Sequence, residues 1–365
     1  MLLPFELKFG IGQQRLTGHD RPVFETQTIQ AADDDFKNAV REAVTLLRAG
    51  EVVALPTETV YGLGADAFNP EAVAKVFAAK ERPSFDPLIV HIGSVTDLKS
   101  VAIVPDEISD TVNRLISEFW PGPLTLILPK HPDVPDLVTS GLPTVAVRQS
   151  AHPVFRAINK ELGRPIAAPS ANRFGRISPT SASAVSKELD GRIPLIVDAG
   201  ACSEGLESTI ISIEPREGKK PIFRLHRAGP ITKEQLQAFG KVEKLKQVSA
   251  DQPLAPGQLP SHYAPLTPLI LLESPTDFKP EPGKKYGLLS YKGEDDSPYA
   301  DIHDWEMIEA LSPGSGKLAE AAIRLFFTMR LMDEAGLDCI VAEPLSETGL
   351  GVAIMDRLRR ASVRE

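Results

Sequence analysis

Short apolar runs alternate with amphipathic helical segments along most of the chain, and this alternation limits the folds open to it. An apolar run bounded by turn residues is typical of a buried strand, whereas apolar residues three and four positions apart are typical of a helix. Interspersed helices and strands predict an α/β fold with a mixed sheet. We predict helices at Phe36–Leu47, Pro70–Lys80, Asp106–Phe119, Ala151–Leu162 and Thr180–Leu189. We predict strands at Val52–Leu55, Leu88–Ile92, Leu124–Leu128, Thr144–Arg148, Ile166–Ala168, Leu195–Asp198, Thr209–Ile213 and Ile222–Leu225.

A proline-rich stretch divides the chain into two parts. The 365 residues suggest about two domains, and the prolines of Ser249–Pro268 predict an extended, semi-rigid linker. Beyond it we predict a small α/β unit with strands at Leu269–Leu272, Tyr286–Ser290 and Asp338–Ala342, a long helix with an apolar face from Leu318 to Met332, and a final helix at Gly351–Arg360. The predicted division is an N-terminal extension at 1–30, a first domain at 31–240, the linker at 241–267 and a C-terminal domain at 268–365.

The balance of charges argues against a general nucleic-acid binder. Lys and Arg total 40 and Asp and Glu total 49, a net charge of −9, whereas affinity for phosphate backbones needs a basic surface. A local basic site for one small anion is compatible with this balance. Cys202 and Cys339 lie far apart, so we expect neither a disulfide framework nor a zinc site. Because we find no membrane-spanning run and no signal-peptide pattern, we expect a cytoplasmic protein without membrane contact.

Polar residues gather where the predicted strands end. Pro56–Gly64 follows one strand and contains two threonines, a glutamate and a tyrosine, and ligands of α/β proteins bind at strand ends. We interpret this stretch as a polar turn whose two glycines precede the next helix. Pro169–Asn172 ends another strand, and Glu207–Thr209 begins a third. Each stretch is also compatible with ordinary turn capping, so only their joint placement indicates a site.

Basic residues occur at the same positions in this acidic chain. Lys80 and Arg82 follow a helix, where they either complement the helix dipole or grip a polyphosphate. Arg148 stands on an otherwise apolar strand, and a cation is costly to bury there without an anion. His91 lies within a strand, where a lone histidine is more often structural. Together these residues indicate one concave, electropositive site for a small polyanion such as a nucleotide.

Several short motifs follow one another in a fixed order. They are Pro56–Gly64, Lys80–Pro83, Pro87–Ile92, Trp120–Thr125, Thr144–Arg148, Pro169–Asn172, Glu207–Ile210, Pro256–Gly257, His262–Pro265 and Gly349–Arg357. In this order they resemble the YrdC-like threonylcarbamoyl-AMP synthases in their long two-domain form. The resemblance covers residues 31–365. It implies a twisted, mostly parallel sheet with a large open cavity, a linker lying over that cavity, and a small Rossmann-like C-terminal domain.

The resemblance implies an enzyme of the nucleotidyltransferase type. It would make L-threonylcarbamoyl-AMP and pyrophosphate from L-threonine, bicarbonate and ATP. The product would feed threonylcarbamoylation of adenosine in tRNA by a separate transferase complex, so we expect no strong direct tRNA binding by this chain. Mg²⁺ would accompany ATP through phosphate oxygens and water, with no protein ligand.

The resemblance also assigns roles to individual residues. Lys80, Arg82 and Arg148 would be catalytic: Lys80 and Arg82 neutralise the ATP phosphates, and Arg148 binds the threonine carboxylate or the nascent carbamate. The residues that would contact ATP are Lys80, Arg82, Thr144, Ser170, Asn172, Arg227 and Tyr263. The residues that would contact L-threonine are Thr57, His91, Arg148 and Ser208.

Departures from the family and two alternatives accompany this interpretation. Gln258–Ser261 replaces a basic, aromatic stretch, and Asp356 stands where asparagine is common. Hydrogenase maturation factors use a similar domain but carry acylphosphatase and zinc-finger modules, for which this chain has neither the length nor the cysteines. An RNA-binding or ribosome-assembly module needs a basic face and stacking aromatics, whereas aromatic residues here are only 6%.

Overall fold

Strands of the first part of the chain form one large mixed sheet. The structure is a computed structural model that describes residues 24–32, 35–244, 255 and 262–363. The strands of this sheet are β1 (Gln27–Gln30), β2 (Val53–Leu55), β3 (Gly62–Asp66), β4 (Ile89–His91), β5 (Leu124–Pro129), β6 (Thr144–Arg148), β7 (Ile166–Ala167), β8 (Leu195–Asp198), β9 (Thr209–Glu214), β10 (Ile222–Arg227) and β11 (Lys241–Lys244). Their spatial order is β1-β8-β2-β3-β7-β4-β6-β5-β9-β10-β11. Parallel pairs such as β4 with β6 and antiparallel pairs such as β5 with β6 confirm the predicted mixed α/β fold. The expectation of a mostly parallel sheet was wrong, because the described strand pairs are parallel and antiparallel in equal number.

The helices of this part place two of the predicted site residues. Asn69 accepts hydrogen bonds from the first N–H groups of α2, Pro70 occupies its first turn, and Glu81 ends it in a left-handed conformation with φ 56°. The residue types that cap this helix therefore fix where Lys80 and Arg82 leave it. The helices are α1 (Phe36–Arg48), α2 (Pro70–Lys80), α3 (Leu98–Val101), α4 (Asp106–Phe119), α5 (Asp136–Thr139), α6 (Pro153–Leu162), α7 (Ala182–Leu189) and α8 (Lys233–Gln237).

Strand β3 shows that part of the sequence prediction was wrong. Gly62–Asp66 pairs antiparallel with β2, so Pro56–Gly64 does not lead through a turn into a helix. Among the described residues, Gly62 and Gly64 do not have positive φ. A Cβ on Gly62 would lie 3.2 Å from the Ala168 side chain, and one on Gly64 would lie 3.0 Å from its neighbours. These glycines therefore let strands pack closely, which is why local turn chemistry did not reveal the strand.

Two of the predicted domain boundaries fall inside the large sheet. Gln27–Gln30, which we assigned to the extension, is the edge strand β1 and pairs in parallel with β8. Lys241–Lys244, which we assigned to the linker, is β11 at the opposite edge and pairs with β10. The first domain therefore includes both segments. Most of the predicted extension, and linker residues 245–254 and 256–261, lie outside the described residues.

The C-terminal part forms a small parallel sheet. Its strands are β12 (Leu269–Leu271), β13 (Tyr286–Ser290), β14 (Met307–Ala310) and β15 (Cys339–Ala342), and its helices are α9 (Leu318–Asp333) and α10 (Gly351–Ser362). The spatial order is β12-β15-β13-β14, with all described pairs parallel, which confirms the expected Rossmann-like unit. Strand β14 was not predicted, because its residues are only partly buried and carry a weak apolar pattern.

The two parts share an apolar cluster. Val60 and Leu206 of the first part pack in one buried group with Phe326 of α9 and with Tyr263. Ion pairs lie beside this cluster, such as the 3.0 Å pair between Arg330 of α9 and a glutamate of α7. The C-terminal unit therefore packs against the segment that follows β2, which contains Val60, and against Leu206. Within the ranges described, no helix has the length and apolar character needed to cross a bilayer.

Candidate active site

A pocket lies against the middle of the large sheet and opens to solvent. The space within its lining, open solvent included, is about 510 Å³. Parallel pairing of β4 with β6 places His91 opposite Arg148, and pairing of β5 with β9 brings the start of β9 to the same end of the sheet. The lining residues are Thr57, Thr59, Val60, Gly62, Arg82, Ile89, His91, Arg148, Ala168, Pro169, Ser170, Glu207, Ser208, Arg227 and His262.

Arg148 is buried in the pocket wall and paired with a carboxylate. Its Nη2 lies 2.6 Å from Oε1 of Glu58, and its Nη1 donates to the Thr59 hydroxyl at 2.9 Å. Glu58 also accepts from the Ser150 hydroxyl at 2.5 Å and from the N–H of Ala151 at 3.0 Å. Burial raises the pKa of Glu58, but the Arg148 charge and these hydrogen bonds outweigh it and lower the pKa to about 2. We expected buried Arg148 to need an anionic partner, and Glu58 of the same chain is that partner.

Thr57 and His91 also line this wall, and both side chains are uncharged polar groups. The Thr57 hydroxyl accepts from the N–H groups of Thr59 and Val60 at 3.1 and 3.2 Å and donates to the Val60 carbonyl at 2.6 Å. It therefore holds the turn after β2. The His91 ring lies 4.8 Å from that of Phe155. Burial, with the neighbouring Arg148 charge, lowers the pKa of His91 to about 3, so its imidazole is neutral near pH 7.

Lys80 and Arg82 are both buried, but only Arg82 lines the pocket. The Lys80 ammonium donates to the carbonyls of Ser170 and Asn172, so it lies behind the segment that ends β7. Burial and the Arg82 charge hold the pKa of Lys80 well below its ordinary value. Arg82 donates to the Asp86 carbonyl at 3.1 Å and lies 2.8 Å from the Asp86 carboxylate. The two cations therefore have fixed positions set by backbone carbonyls and a carboxylate.

Ser208 and Arg227 form a second polar group in the pocket wall. Nε of Arg227 donates to the Ser208 carbonyl at 3.0 Å, and its Nη2 donates to the Ser208 hydroxyl at 3.1 Å. The same hydroxyl lies 2.7 Å from the Thr125 hydroxyl. Neighbouring Glu207 also lines the pocket and accepts from the Ser178 hydroxyl at 2.5 Å. These contacts tie the start of β9 to the end of β10.

An apolar patch on the same sheet is covered by a residue of the predicted linker. Ile89, Ile127, Ala146 and Ile210 form a buried group with Ala255, and Ile89 also lines the pocket. Ile89 therefore adds an apolar surface to a pocket that is also lined by arginines. A second linker residue, His262, lies in the pocket wall. Ala255 and His262 of the predicted linker therefore lie at or beside the site.

The structure brings seven of the eleven residues we singled out into the pocket wall. These are Thr57, Arg82, His91, Arg148, Ser170, Ser208 and Arg227. Four others are described but do not line it. Lys80 lies behind the wall, Asn172 donates its amide to the carbonyls of Arg173 and Arg176 at 2.7 and 2.8 Å, and Thr144 begins β6 opposite Pro129. Tyr263 is fully buried with its ring 5.5 Å from that of Phe326.

Two carboxylates were not predicted as functional residues. Glu58 holds Arg148, and Glu207 lines the pocket. Both lie within motifs that the sequence analysis quoted, next to Thr57 and Ser208. A buried arginine in an acidic chain is the signal that points to such partners, but the partner's position depends on strand packing.

The acidic groups at the pocket are each held by an arginine. Glu58 lies beside Arg148, Asp86 beside Arg82, and Glu207 lies 3.1 Å from Arg357 of α10. In the ranges described, no group of three or more His, Cys, Asp or Glu side chains is arranged to bind a metal ion. This donor set does not fit a magnesium ion bound directly by the protein, which would need several free oxygen ligands.

The fold and the pocket together define a two-domain α/β protein with a polar pocket whose lining includes Arg82, Arg148 and Arg227. Residues 45–226 match the family model described as "Telomere recombination", and residues 231–363 match the one described as "Threonylcarbamoyl-AMP synthase, C-terminal domain". The threonylcarbamoyl-AMP synthase of Bacillus subtilis (strain 168) is 42% identical to this chain, covering 88% of this chain and 92% of that protein. The threonylcarbamoyl-AMP synthase of Pyrococcus abyssi (strain GE5 / Orsay) is 39% identical, covering 88% of this chain and 94% of that protein.

A solved structure agrees with these sequence relationships. The crystal structure of the Pyrococcus abyssi Sua5 protein complexed with L-threonine superposes with a TM-score of 0.79 at 38% identity, covering 92% of this chain and 97% of that one. The chain therefore belongs to the threonylcarbamoyl-AMP synthase family and is an enzyme of that family.

Proposed function

We propose that this chain makes L-threonylcarbamoyl-AMP and pyrophosphate from L-threonine, bicarbonate and ATP, which makes it a nucleotidyltransferase. The observation that carries the proposal is the 42% identity to a threonylcarbamoyl-AMP synthase over 88% of this chain and 92% of the relative. We propose that the product serves threonylcarbamoylation of tRNA by a separate transferase complex. We place this reaction in the cytoplasm, and we propose that this chain does not itself bind tRNA strongly, because its net charge is −9.

The end of the pocket formed by Thr57, His91, Arg148 and Ser208 would hold L-threonine. Arg148 supplies the positive charge for the threonine carboxylate or the nascent carbamate, and Glu58 fixes its orientation. Neutral His91 and the Ser208 hydroxyl offer hydrogen bonds without adding charge, and Thr57, whose hydroxyl bonds within its own turn, shapes the wall. A solved relative is described as a complex with L-threonine, which supports this assignment.

ATP would occupy the remaining part of the pocket. Arg82 and Arg227 line it and are placed to neutralise phosphate oxygens, and Lys80 adds positive charge from behind the wall. Ile89, which lines the pocket, would contact the base. By position in the family motifs, Thr144, Ser170, Asn172 and Tyr263 would complete the ATP contacts.

The chemistry needs no covalent protein group. The threonine amine captures bicarbonate to form a carbamate with loss of water, and a carbamate oxygen then attacks the α-phosphorus of ATP as pyrophosphate leaves. The chain therefore contributes positioning and charge neutralisation. Holding the three reactants together is worth on the order of 7–11 kcal/mol. Cover by linker residues such as Ala255 and His262 would protect the carbamate and the adenylate from water.

Magnesium would enter with ATP as part of the substrate. Because the pocket carboxylates are all held by arginines, we propose that phosphate oxygens and water supply its ligands. No step of the proposed reaction passes through a bond between the protein and the metal.

Replacing Lys80 by alanine tests the proposed site. We expect the variant to lose pyrophosphate release in the presence of ATP, L-threonine and bicarbonate, because the ammonium adds charge near the phosphates and holds the Ser170–Asn172 segment. Lys75→Ala is the matched control, since Lys75 lies on the same helix but is partly exposed and pairs with Glu51 at 2.7 Å.

Two results would contradict the proposal, and they are distinguishable. Near-normal turnover by Lys80→Ala, with Lys75→Ala equally active, would reject the role of Lys80. A wild-type protein whose pyrophosphate release does not depend on L-threonine, tested against the other nineteen amino acids, would reject the function itself. Circular dichroism of each variant confirms that it has folded.

A further inference from the structure

One side chain of the C-terminal unit reaches the wall of the pocket. Arg357 lies on α10 and is completely buried. Its Nε and Nη2 donate to Oε2 of Glu207 at 3.2 and 3.1 Å, and its Nη1 donates to the Ala228 carbonyl at 2.7 Å. The guanidinium also lies 5.3 Å from the centre of the Tyr263 ring. A planar group with several fixed donors therefore binds two separate segments of the first domain at once.

The two segments that Arg357 joins are those that carry pocket residues. Glu207 precedes Ser208, and Ala228 follows Arg227. Ser208 and Arg227 are themselves hydrogen-bonded at 3.0 and 3.1 Å. The backbones approach so closely that a Cβ added to Gly229 would lie 2.4 Å from the Glu207 carbonyl oxygen. A shift of either segment would therefore move the hydroxyl and the guanidinium that face the substrates.

The charge of Glu207 gives Arg357 a second effect. Glu207 lines a pocket that is to receive a triphosphate and a carboxylate. Its Oε1 is satisfied by the Ser178 hydroxyl and its Oε2 by Arg357. Without the guanidinium, a buried anion would stand in the wall and repel the substrates.

We propose that Arg357 is a positioning residue for the synthase reaction, supplied by the C-terminal domain and acting through Glu207 on Ser208 and Arg227. This inference rests on the proposed function. It gives the C-terminal domain a direct part in building the substrate site, beyond stabilising the fold.

Kinetics of Arg357→Met test the inference. We expect kcat/KM for pyrophosphate release to fall about 100-fold, mainly through higher KM values for ATP and L-threonine, because substrate binding loses both its geometry and its charge balance. Arg357→Lys keeps the positive charge, so its kcat/KM should be about tenfold higher than that of Arg357→Met. The double variant Arg357→Met/Glu207→Gln should be more active than Arg357→Met alone, because the uncompensated carboxylate is gone.

Two neighbouring residues of α10 provide controls. Leu358 is buried in the core of the C-terminal unit, so Leu358→Ala reports the effect of destabilising this helix. Arg359 is half-exposed and pairs with Glu347, so Arg359→Met reports the loss of a surface charge. Thermal unfolding of every variant is measured alongside, and KM values within about threefold of wild type are expected for both controls.

The outcomes separate this inference from the proposed function. The inference is overturned if kcat/KM of Arg357→Met stays within about threefold of wild type. It is also overturned if the fold-losses in kcat/KM of the two single variants multiply in the double variant. A Leu358→Ala variant that has the same Tm as Arg357→Met and raises KM by the same factor would overturn it as well. Should Arg357→Met fail to fold, Arg357→Lys and the double variant decide between the same alternatives. A wild-type protein that releases no pyrophosphate would overturn the proposed function and this inference with it.

Discussion

Replacing Glu58 by glutamine removes the negative charge that faces the Arg148 guanidinium at 2.6 Å. Glutamine mimics the protonated carboxyl, so the cost follows from the pKa of Glu58, which the folded chain lowers from 4.5 to about 2. The folded chain therefore stabilises the ionised Glu58 carboxylate over the protonated carboxyl, and this preference contributes about 3 kcal/mol to the free energy of unfolding at pH 7. We expect Glu58→Gln to lower the free energy of unfolding by about this amount and to reduce activity, because Arg148 loses its fixed orientation.

The pH dependence of this difference has a definite sign. A carboxyl whose pKa is lowered on folding stabilises the protein above its unfolded pKa, and this stabilisation disappears as the pH falls through the folded value. The difference between wild type and Glu58→Gln should therefore be complete above pH 5. It should shrink to about half near pH 3.

Unfolding by urea measures this difference in the first domain. Trp120 is buried there and donates to the Leu124 carbonyl at 2.7 Å, whereas the other tryptophan, Trp305, lies in the C-terminal unit. In a Trp305→Phe background, fluorescence therefore follows the unfolding of the first domain alone.

A nearby carboxylate supplies a control of opposite sign. Burial and the Glu58 charge raise the pKa of Glu204, so Glu204→Gln should not destabilise the protein at pH 7. Our account of the Arg148 pair would be refuted if both variants lost the same free energy, or if Glu58→Gln lost less than about 1 kcal/mol.

Two further predictions concern the domain junction and His91. A Cβ at Gly205, whose φ is +71°, would lie 2.4 Å from Cα of Ile323, whereas a Cβ at Gly200, whose φ is +82°, would meet no atom within 4 Å. Calorimetry should therefore show Gly205→Ala to be about 1–3 kcal/mol less stable than Gly200→Ala. Equal stability of the two variants would show that the packing at the domain junction adjusts to the added methyl group. Since the pKa of His91 is lowered to about 3 by burial and Arg148, its ring signals in NMR spectra should stay constant from pH 5 to 8, and a titration in that range would show the assignment of a neutral imidazole to be wrong.

Local signals in the sequence located some elements and not others. Helix α2 was predictable because Asn69 and Pro70 determine its start within a few residues. Strand β3 was not, because the role of Gly62 and Gly64 depends on close neighbours such as Ile166 of β7 and Ala168, which directly follows β7, and both are distant in sequence. Strand β1 was not located within the N-terminal extension for a similar reason, since it is stabilised by pairing with β8.

The same distinction applies to the site. The convergence of Arg148, Ser170 and Ser208 followed from the rule that ligand-binding residues lie at strand ends. The placement of Lys80 behind the wall did not follow, because it depends on carbonyls of a loop that begins ninety residues later. Which side of the wall a cation occupies is decided by tertiary contacts.

The arginines of the pocket are held before any substrate arrives. Arg148 faces Glu58 and Arg82 faces Asp86, while Arg227 is held by the carbonyl and hydroxyl of Ser208. Because a buried cation without a partner is costly, such contacts let the chain keep positive charge at the site in a stable fold. Dipoles and charges fixed in this way do not need to reorganise as negative charge moves from the carbamate to pyrophosphate. In the proposed reaction, an acidic chain would bind polyanions in one pocket because carboxylates inside the wall orient the arginines that line it.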